Sequence, residues 1–340
     1  MLVVVLAGLL VLSYLIRPVF VAFASLFGGV LMAILLGGAV GWVERRLRVP
    51  RSAALAITWV TLSLSVAGLL WSIGAPLIGQ AVELTARFPE TVQSVREALH
   101  ASDWGRNLIS IVPDAERIGE FGPRIVGGIS RAFSSTLEGL LSGFVALFIA
   151  IYLVLEPERY LNGTLKLVPR ERRGRAREIV SAITNALRWW LIGRLAAMAI
   201  VGALSIVSLL LLGVPFALGL GSLAGLLSFL PYLGPILAAI PAVLVAVSQA
   251  PILAVYVAVV YGGIQLIENY LVTPLVQRRL VRLAPVVAIV VQVVMGLVFG
   301  LAGAFLATPL AIVAIVILQM IYIEDRLGEQ VTILGSRRRP

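Results

Sequence analysis

The longest charge-free stretch of the chain runs from Leu195 to Ile267, 73 residues without one Asp, Glu, Lys or Arg. A helix needs about 20 apolar residues to cross the hydrocarbon core of a bilayer, so this stretch has room for several membrane-embedded segments. Soluble chains carry about 25% charged residues, whereas only 13% of these 340 residues are charged and 60% are hydrophobic. The sequence therefore predicts an all-α integral membrane protein, built as a polytopic helical bundle.

Further charge-free stretches predict additional spans, and one polar region predicts a small segment outside the membrane. The other stretches are residues 1–16, 18–43, 52–82, 139–155 and 283–323, with a tight break expected at Arg17 and Pro18. The resulting order is N-terminal spans (1–75), an extracytoplasmic helical segment (76–135), a span (136–156), a basic amphipathic cytoplasmic helix (157–194), a core of two span-plus-hairpin units (195–323) and a cytoplasmic tail (324–340).

Arginine-rich segments indicate which side of the membrane each loop occupies. Four such segments are residues 44–51, 156–194 and 278–282 and the C-terminal RRRP. The positive-inside rule places all four in the cytoplasm and the near-neutral segment 76–135 outside. The same rule explains the net charge of +10, so the basic excess predicts a multi-pass membrane protein with a cytoplasmic C-terminus and no nucleic-acid partner.

These assignments require two stretches to enter the membrane and return to the side they came from. If residues 216–249 crossed completely, the basic segment 278–282 would lie outside; if residues 284–323 crossed, the basic tail would. The prolines in SFLPYLGPILAAIPA, residues 228–242, suit a turn between two short helices. We therefore expect two re-entrant helical hairpins, one with its tip at Pro231 to Pro235 and one broken near Gly300 to Gly303.

The two predicted hairpins resemble each other in sequence. Gly234, Leu237, Ala238 and Pro241 match Gly303, Leu306, Ala307 and Pro309 when one residue is gapped. The first hairpin enters from outside and the second from inside, so the pattern predicts an inverted repeat of a span followed by a hairpin. Secondary transporters with this plan bind their cargo where broken helices meet near the midplane.

Three sequence blocks carry a family resemblance: SFLPYLGPILAAIPA, ENYLVTPLVQRRLVRLAP and GLAGAFLATPLAIV. Together with the RVPR after the second span they resemble the autoinducer-2 exporter family of bacterial membrane proteins, over nearly the whole chain. The resemblance implies a transporter of the bacterial inner membrane that assembles as a homo-oligomer. Some members of the family export autoinducer-2 and others are cation/proton antiporters, so the resemblance does not name the solute.

Glu268 is the foremost candidate for an ion or solute site. It lies near the end of a span otherwise free of charge, next to Gln265 and Asn269, which are candidates for the same ion or solute path. An intramembrane carboxylate is costly and marks either a functional site or a buried structural pair. Glu268 could bind a proton or Na⁺, or it could form a structural hydrogen bond to a neighbouring hairpin; the sequence leaves both open.

The hairpin tips provide a second set of candidates on the solute path. Breaks in a helix leave free N–H and C=O groups that can bind a neutral, hydroxyl-rich molecule without a charged side chain. Tyr232 and Gln292 could add hydrogen bonds, although Tyr232 could equally be ordinary interfacial packing. The candidate path residues of the two hairpins are Pro231, Tyr232, Gly234, Pro235, Gln292, Gly303 and Pro309.

A basic amphipathic helix is predicted over residues 170–194. Ile179, Ile183 and Leu187 share its apolar face. Its membrane-surface residues are Arg172, Arg173, Arg175, Arg177, Trp189 and Trp190. This composition is typical of a helix that lies on an anionic leaflet of the lipid bilayer.

The absence of several sequence motifs argues against metal-dependent and ATP-dependent functions. The chain has no cysteine and a single histidine, which argues against a metal site, and no Gly-rich loop ends in Lys-Ser or Lys-Thr, which argues against ATP. We expect no cofactor and no enzymatic activity. The leading hypothesis is a secondary transporter that exports a small polar solute, with a Na⁺(Li⁺)/H⁺ antiporter and a channel-like or scaffold oligomer as alternatives.

Overall fold

The computed structural model describes residues 2–69, 136–272 and 284–329, together with residue 97. Apart from residue 97, the predicted external segment 76–135 lies outside the described residues, as do the basic segment 278–282 and the C-terminal RRRP. All regular elements in the described ranges are helices, as the sequence predicts.

The helices are numbered here in chain order. They are α1 (Leu2–Leu47), α2 (Arg51–Leu69), α3 (Thr136–Leu155), α4 (Pro157–Leu165), α5 (Arg173–Leu211), α6 (Ala217–Leu227), α7 (Leu233–Gln249), α8 (Pro251–Ile267) and α9 (Pro285–Ile317). A 3₁₀ turn covers Arg170–Arg172, and π-helical turns continue α8 over Glu268–Val272 and α9 over Leu318–Glu324.

Four helical stretches in the described ranges are long and apolar enough to cross a bilayer. They are Val19–Leu47, Arg170–Leu211, Ile252–Tyr270 and Pro285–Glu324. The shorter apolar helices are Gly143–Leu155, Ala217–Leu227 and Leu233–Val247. Length and composition therefore make the chain a helical membrane protein.

The break predicted at Arg17 and Pro18 is wrong, because α1 continues through both residues. A proline removes one backbone hydrogen bond, and the apolar residues on either side favour helix because backbone groups in lipid need internal partners. In the same way, the basic helix predicted over 170–194 and the span predicted over 195–213 share the single helix α5.

The described residues fall into two compact units. The first lies within Met1–Leu62, Glu138–Gly193 and Val276–Pro340, and the second lies within Ser63–Leu137 and Arg194–Leu275. In the first unit, Val40 of α1, Ala54 of α2 and Ala150 of α3 belong to one buried cluster. Phe20 of α1 also stacks on Phe299 of α9, with ring centroids 3.8 Å apart.

In the second unit, α6, α7 and α8 pack around a core that includes Leu220, Ala242 and Val257. Glycines let α5 and α6 approach closely: a Cβ at Gly225 would lie 2.9 Å from the Cα of Gly202. Small residues at such contacts are the usual means by which apolar helices pack in membranes.

The first predicted hairpin is a pair of short helices, α6 and α7, joined by a turn at residues 228–232. The α6 helix has 11 residues, about 16 Å, which is too short to cross a hydrocarbon core of about 30 Å. The predicted tip was placed slightly too late in the chain. Pro231 and Tyr232 are in the turn, but Gly234 and Pro235 belong to the first turn of α7. Proline is tolerated there because the N–H groups of a first helical turn have no intrahelical acceptor.

The second predicted hairpin lies within α9, which breaks at Gly300 with φ 68° and ψ −153°. Only glycine adopts this backbone conformation readily. Gln292 and Thr308 are 16 residues apart and would be about 24 Å apart in a straight helix, yet their side chains are hydrogen bonded at 3.1 Å. The chain therefore folds back on itself at the predicted break.

A glycine closes each hairpin in the same way. A Cβ at Gly234 would overlap the carbonyl oxygen of Leu227, and a Cβ at Gly303 would overlap that of Met295. The aligned glycines thus allow the second arm of each hairpin to approach the backbone of the first. Entry of the hairpins into the membrane and their inverted orientation remain predictions.

Candidate functional site

A buried ion pair lies in the second unit, between Arg194 of α5 and Glu268 at the end of α8. Nη1 of Arg194 donates to Oε1 of Glu268 at 3.1 Å. The two side chains are only 11% and 4% exposed. Two charges buried this deeply are tolerated because they neutralise each other, and removing one partner of such a pair typically costs about 3–5 kcal/mol.

Arg194 also binds the turn of the first hairpin. Its Nε donates to the backbone carbonyl of Phe229 at 3.0 Å. Glu268 starts the π-helical turn Glu268–Val272, and such turns interrupt the regular α-helical ladder and are frequent at functional sites. One guanidinium therefore connects α5, the hairpin turn and the irregular end of α8.

One nitrogen and one oxygen atom of the ion pair do not take part in its hydrogen bonds. Nη2 of Arg194 and Oε2 of Glu268 are buried and have no hydrogen-bond partner among the described residues. Buried polar atoms are paired in the great majority of cases, so each exception needs an explanation. A guanidinium N–H and a carboxylate oxygen together match a small solute that both accepts and donates hydrogen bonds, and the carboxylate oxygen alone matches a proton or a monovalent cation.

The neighbours that the sequence groups with Glu268 bond to each other and not to the Arg194–Glu268 pair. Nε2 of Gln265 donates to Oδ1 of Asn269 at 3.3 Å, in an exposed position. Glu268, by contrast, is buried. The structure brings Glu268 into the pair with Arg194 and leaves the two amides bonded to each other.

The turn of the first hairpin is strained at Tyr232, which has φ 67° and ψ −48°. A positive φ is uncommon for a bulky residue. Its side chain is exposed, and Pro231 is half-buried next to it. Gly234 is buried and Pro235 is half-buried in the first turn of α7, where they set the helix packing.

The polar residues of the second hairpin form a separate buried contact in the first unit. Gln292 is 1% exposed and donates to Thr308, while its Oε1 has no partner in the part of the chain that the structure describes. Gly303 and Pro309 are buried beside them in the second arm. Gln292 thus holds the two arms of the hairpin together and keeps one acceptor atom free.

The residues predicted to lie at the membrane surface differ in their exposure and in their bonding partners. Arg172 is exposed, and Arg173 donates to the carbonyls of Val168 and Lys166. Arg177 bonds Glu158 and Asn162. The partners of Arg175 are Glu178, Glu324, Asp325 and the carbonyl of Met320. Trp190 is buried and Trp189 is half-buried, so a membrane-surface role for this group stays a prediction.

Arg194 is the residue that sequence reasoning missed. It was grouped with the basic residues of 156–194 because it is the last charge before the long apolar stretch. Arg194 and Glu268 are the two charges that bracket the 73-residue stretch from Leu195 to Ile267, and that position was the available signal. No group of three or more potential metal ligands occurs among the described side chains.

Comparisons with known proteins identify the family of this chain. The family model described as AI-2E family transporter matches residues 1–323. YueF of Bacillus subtilis, whose name assigns it to transport, is 24% identical over 311 residues, covering 87% of this chain and 84% of its own. The AI-2 transport protein TqsA of Escherichia coli is 25% identical over 322 residues, covering 94% of this chain and 90% of its own. Because this family match spans nearly its whole length, the chain belongs to the AI-2E transporter family.

Proposed function

We propose that this protein is a secondary transporter that exports a small polar solute, with autoinducer-2 as the first solute to test. Family membership supports transport, and a relative named as an AI-2 transport protein supports the choice of solute. The observation that carries the mechanism is Arg194, which holds Glu268 and the hairpin-turn carbonyl of Phe229 at the same time.

Opening of the Arg194–Glu268 pair is the step at which a ligand can act on the hairpin. A hydroxyl-rich solute can accept from Nη2 of Arg194 and donate to Oε2 of Glu268, the two unpaired atoms. A proton or Na⁺ at Glu268 competes with the guanidinium for the carboxylate. The competing cation removes part of what holds Arg194, and the bond from Arg194 to Phe229 then weakens.

Ligand binding and hairpin movement are coupled because Arg194 contacts both Glu268 and the hairpin turn. A ligand shifts a conformational equilibrium only as far as its affinities for the two states differ. A solute that binds the opened pair favours the state in which the hairpin turn is released. Two hairpins that enter the membrane from opposite sides, as the inverted repeat requires, then expose the site alternately to each side.

Counterflow in proteoliposomes tests the function. Vesicles loaded with unlabelled autoinducer-2 are expected to accumulate labelled autoinducer-2 transiently when they contain the protein. Glu268→Gln should reduce this accumulation by about tenfold or more, because the neutral amide no longer holds Arg194. Gln265→Ala is the matched control, since Gln265 lies on the same helix with its side chain bonded to Asn269 in an exposed position.

Each result of the counterflow experiment separates two hypotheses. Rapid equilibration of labelled solute without transient accumulation would indicate a channel and contradict the carrier. Normal counterflow in the Glu268→Gln vesicles would remove the ion pair from the mechanism.

Na⁺(Li⁺)/H⁺ antiport is the second candidate, and the free Oε2 of the buried Glu268 is the observation that favours it. The same vesicles carry the test. Addition of Na⁺ or Li⁺ should collapse an imposed pH gradient without any solute, and Glu268→Gln should prevent this. A pH gradient that stays intact with the wild-type protein would exclude antiport as the activity.

The inverted orientation of the hairpins has its own test in a chain without cysteine. Tyr232 and Leu301 are exposed and lie at or next to the two turns. We expect a membrane-impermeant maleimide to label Tyr232→Cys from outside and Leu301→Cys from the cytoplasm. Labelling of both from one side would contradict the inverted repeat while leaving the transport proposal intact. The same orientation places the basic segments in the cytoplasm of a bacterial inner-membrane protein.

A further inference from the structure

A cleft of 1320 Å³ lies in the first unit, lined by residues of α1, α3, α4 and α5 together with Arg51 of α2 and Met320. Part of its wall comes from Val30, Ala33 and Ile34 of α1, which belong to the candidate span Val19–Leu47. Another part carries four arginines. The cleft therefore combines an apolar wall at a membrane-spanning helix with a strongly basic region, and it is distinct from the site at Glu268.

The positive charge of this cleft is only partly compensated. Two of its arginines pair with acidic residues in the lining, Arg175 with Glu178 at 3.0 Å and Arg177 with Glu158 at 3.2 Å. The other two, Arg51 and Arg188, have no ion-pair partner among the described residues. Nε of Arg51 donates to the carbonyl of Val154 at 2.8 Å, a contact that leaves the charge of Arg51 uncompensated. Two guanidinium charges are thus available to an anion.

Arg188 lies against α1 beside an apolar part of that helix. A Cβ at Gly38 would be 2.9 Å from Nε of Arg188, so the glycine provides the room for the guanidinium. Gly38 is nine residues before the end of α1 at Leu47, a distance of about 14 Å along the helix. A charge beside a membrane-spanning segment is costly unless it has a partner or reaches water.

We propose that this cleft binds an anionic phospholipid. The phosphate of the headgroup accepts from Arg51 and Arg188, since guanidinium groups bind phosphate with charge-assisted hydrogen bonds. An acyl chain lies along the apolar wall formed by Val30, Ala33 and Ile34. Basic pockets between spanning helices on the cytoplasmic side are known to bind anionic lipid headgroups. The apolar wall favours a whole lipid over a soluble phosphate ester.

Lipid titration of the full-length protein in non-ionic detergent, followed by native mass spectrometry, tests this site. The wild type should bind phosphatidylglycerol at least about fivefold more tightly than phosphatidylethanolamine, the change that one basic residue near an anionic surface corresponds to. Arg188→Gln should abolish this preference. Arg159→Gln is the matched control, since it removes the same charge from a side chain that is 78% exposed and lies outside the cleft lining, and it should keep the preference.

Four further results decide whether the site and its lipid assignment hold. Arg188→Lys keeps the charge and should retain part of the preference; if Arg188→Gln fails to fold, Arg51→Gln should show the same loss. An equal preference in wild type and Arg188→Gln would overturn the site. Soluble glycerol phosphate that binds as tightly as phosphatidylglycerol would overturn the lipid assignment, because the apolar wall would then contribute nothing.

Discussion

Arg175 and Arg194 lie on the same helix, α5, but in different environments. Arg175 is 26% exposed and pairs with three carboxylates, and it also donates to the carbonyl of Met320 at 3.0 Å. Arg194 is 11% exposed and pairs with one carboxylate, Glu268. Its only other bond in the described structure is to the carbonyl of Phe229.

This difference determines whether the contacts of Arg175 or those of Arg194 can act as a switch. A guanidinium has five N–H donors, and Arg175 distributes them over several partners, so the loss of one contact leaves the others in place. Arg194 depends on one carboxylate in a buried position, where a charge interaction is stronger than near the surface. A single ligand at Glu268 can therefore change the state of Arg194, whereas no single ligand can release Arg175.

The largest expected effect is that of Arg194→Gln. This change leaves the Glu268 carboxylate buried without a counter-charge, and we expect a loss of about 3–5 kcal/mol of stability. Thermal unfolding in detergent measures it as a large decrease in the transition midpoint. The double variant Arg194→Gln/Glu268→Gln should recover most of the stability, because no unpaired charge remains, and should still fail in counterflow. A double variant as unstable as the single one would show that the pair is not the source of the loss.

A smaller loss of stability is expected for Gly234→Ala. This change tests whether the turn that Arg194 contacts tolerates a shift of its backbone. The added Cβ would overlap the backbone carbonyl oxygen of Leu227, and overpacking of this kind costs about 1–3 kcal/mol. Gly262→Ala is the control in the same unit, since a Cβ there meets nothing within 4 Å. Equal unfolding midpoints for the two variants would indicate that the turn adjusts easily, and the bond from Arg194 to Phe229 would then control little.

Sequence reasoning predicted the helical class, the helix break at Gly300 and, slightly too late in the chain, the turn at residues 228–232, because glycine and proline act locally on the backbone. Gly300 was within the predicted break and has the backbone conformation that requires glycine. The local rule was wrong at Pro18, where the helix continues, since one lost hydrogen bond did not outweigh the apolar surroundings.

The candidate site was predicted only in part. Glu268 was found because a charge near the end of an apolar span is rare. Its partner Arg194 was assigned to the basic helix, since adjacent charges in the sequence do not show which of them is buried. That distinction depends on the packing of α5 against α6 and α8 and on the turn at Phe229, which bring together groups 35 and 74 residues apart in the chain.

The smallest effect is expected for Arg175→Gln, and it tests the other side of the comparison. Partly exposed ion pairs contribute about 0–1 kcal/mol each, so the loss in stability should be well below that of Arg194→Gln, with counterflow unchanged. Salt should also separate the two arginines. At 1 M salt the Debye length falls to about 3 Å, which should reduce the difference between wild type and Arg175→Gln but leave the effect of Arg194→Gln nearly the same, because water and ions do not reach a buried pair. If salt reduced both effects equally, the Arg194–Glu268 pair would be accessible to solvent, and the single-partner switch would lose its physical basis.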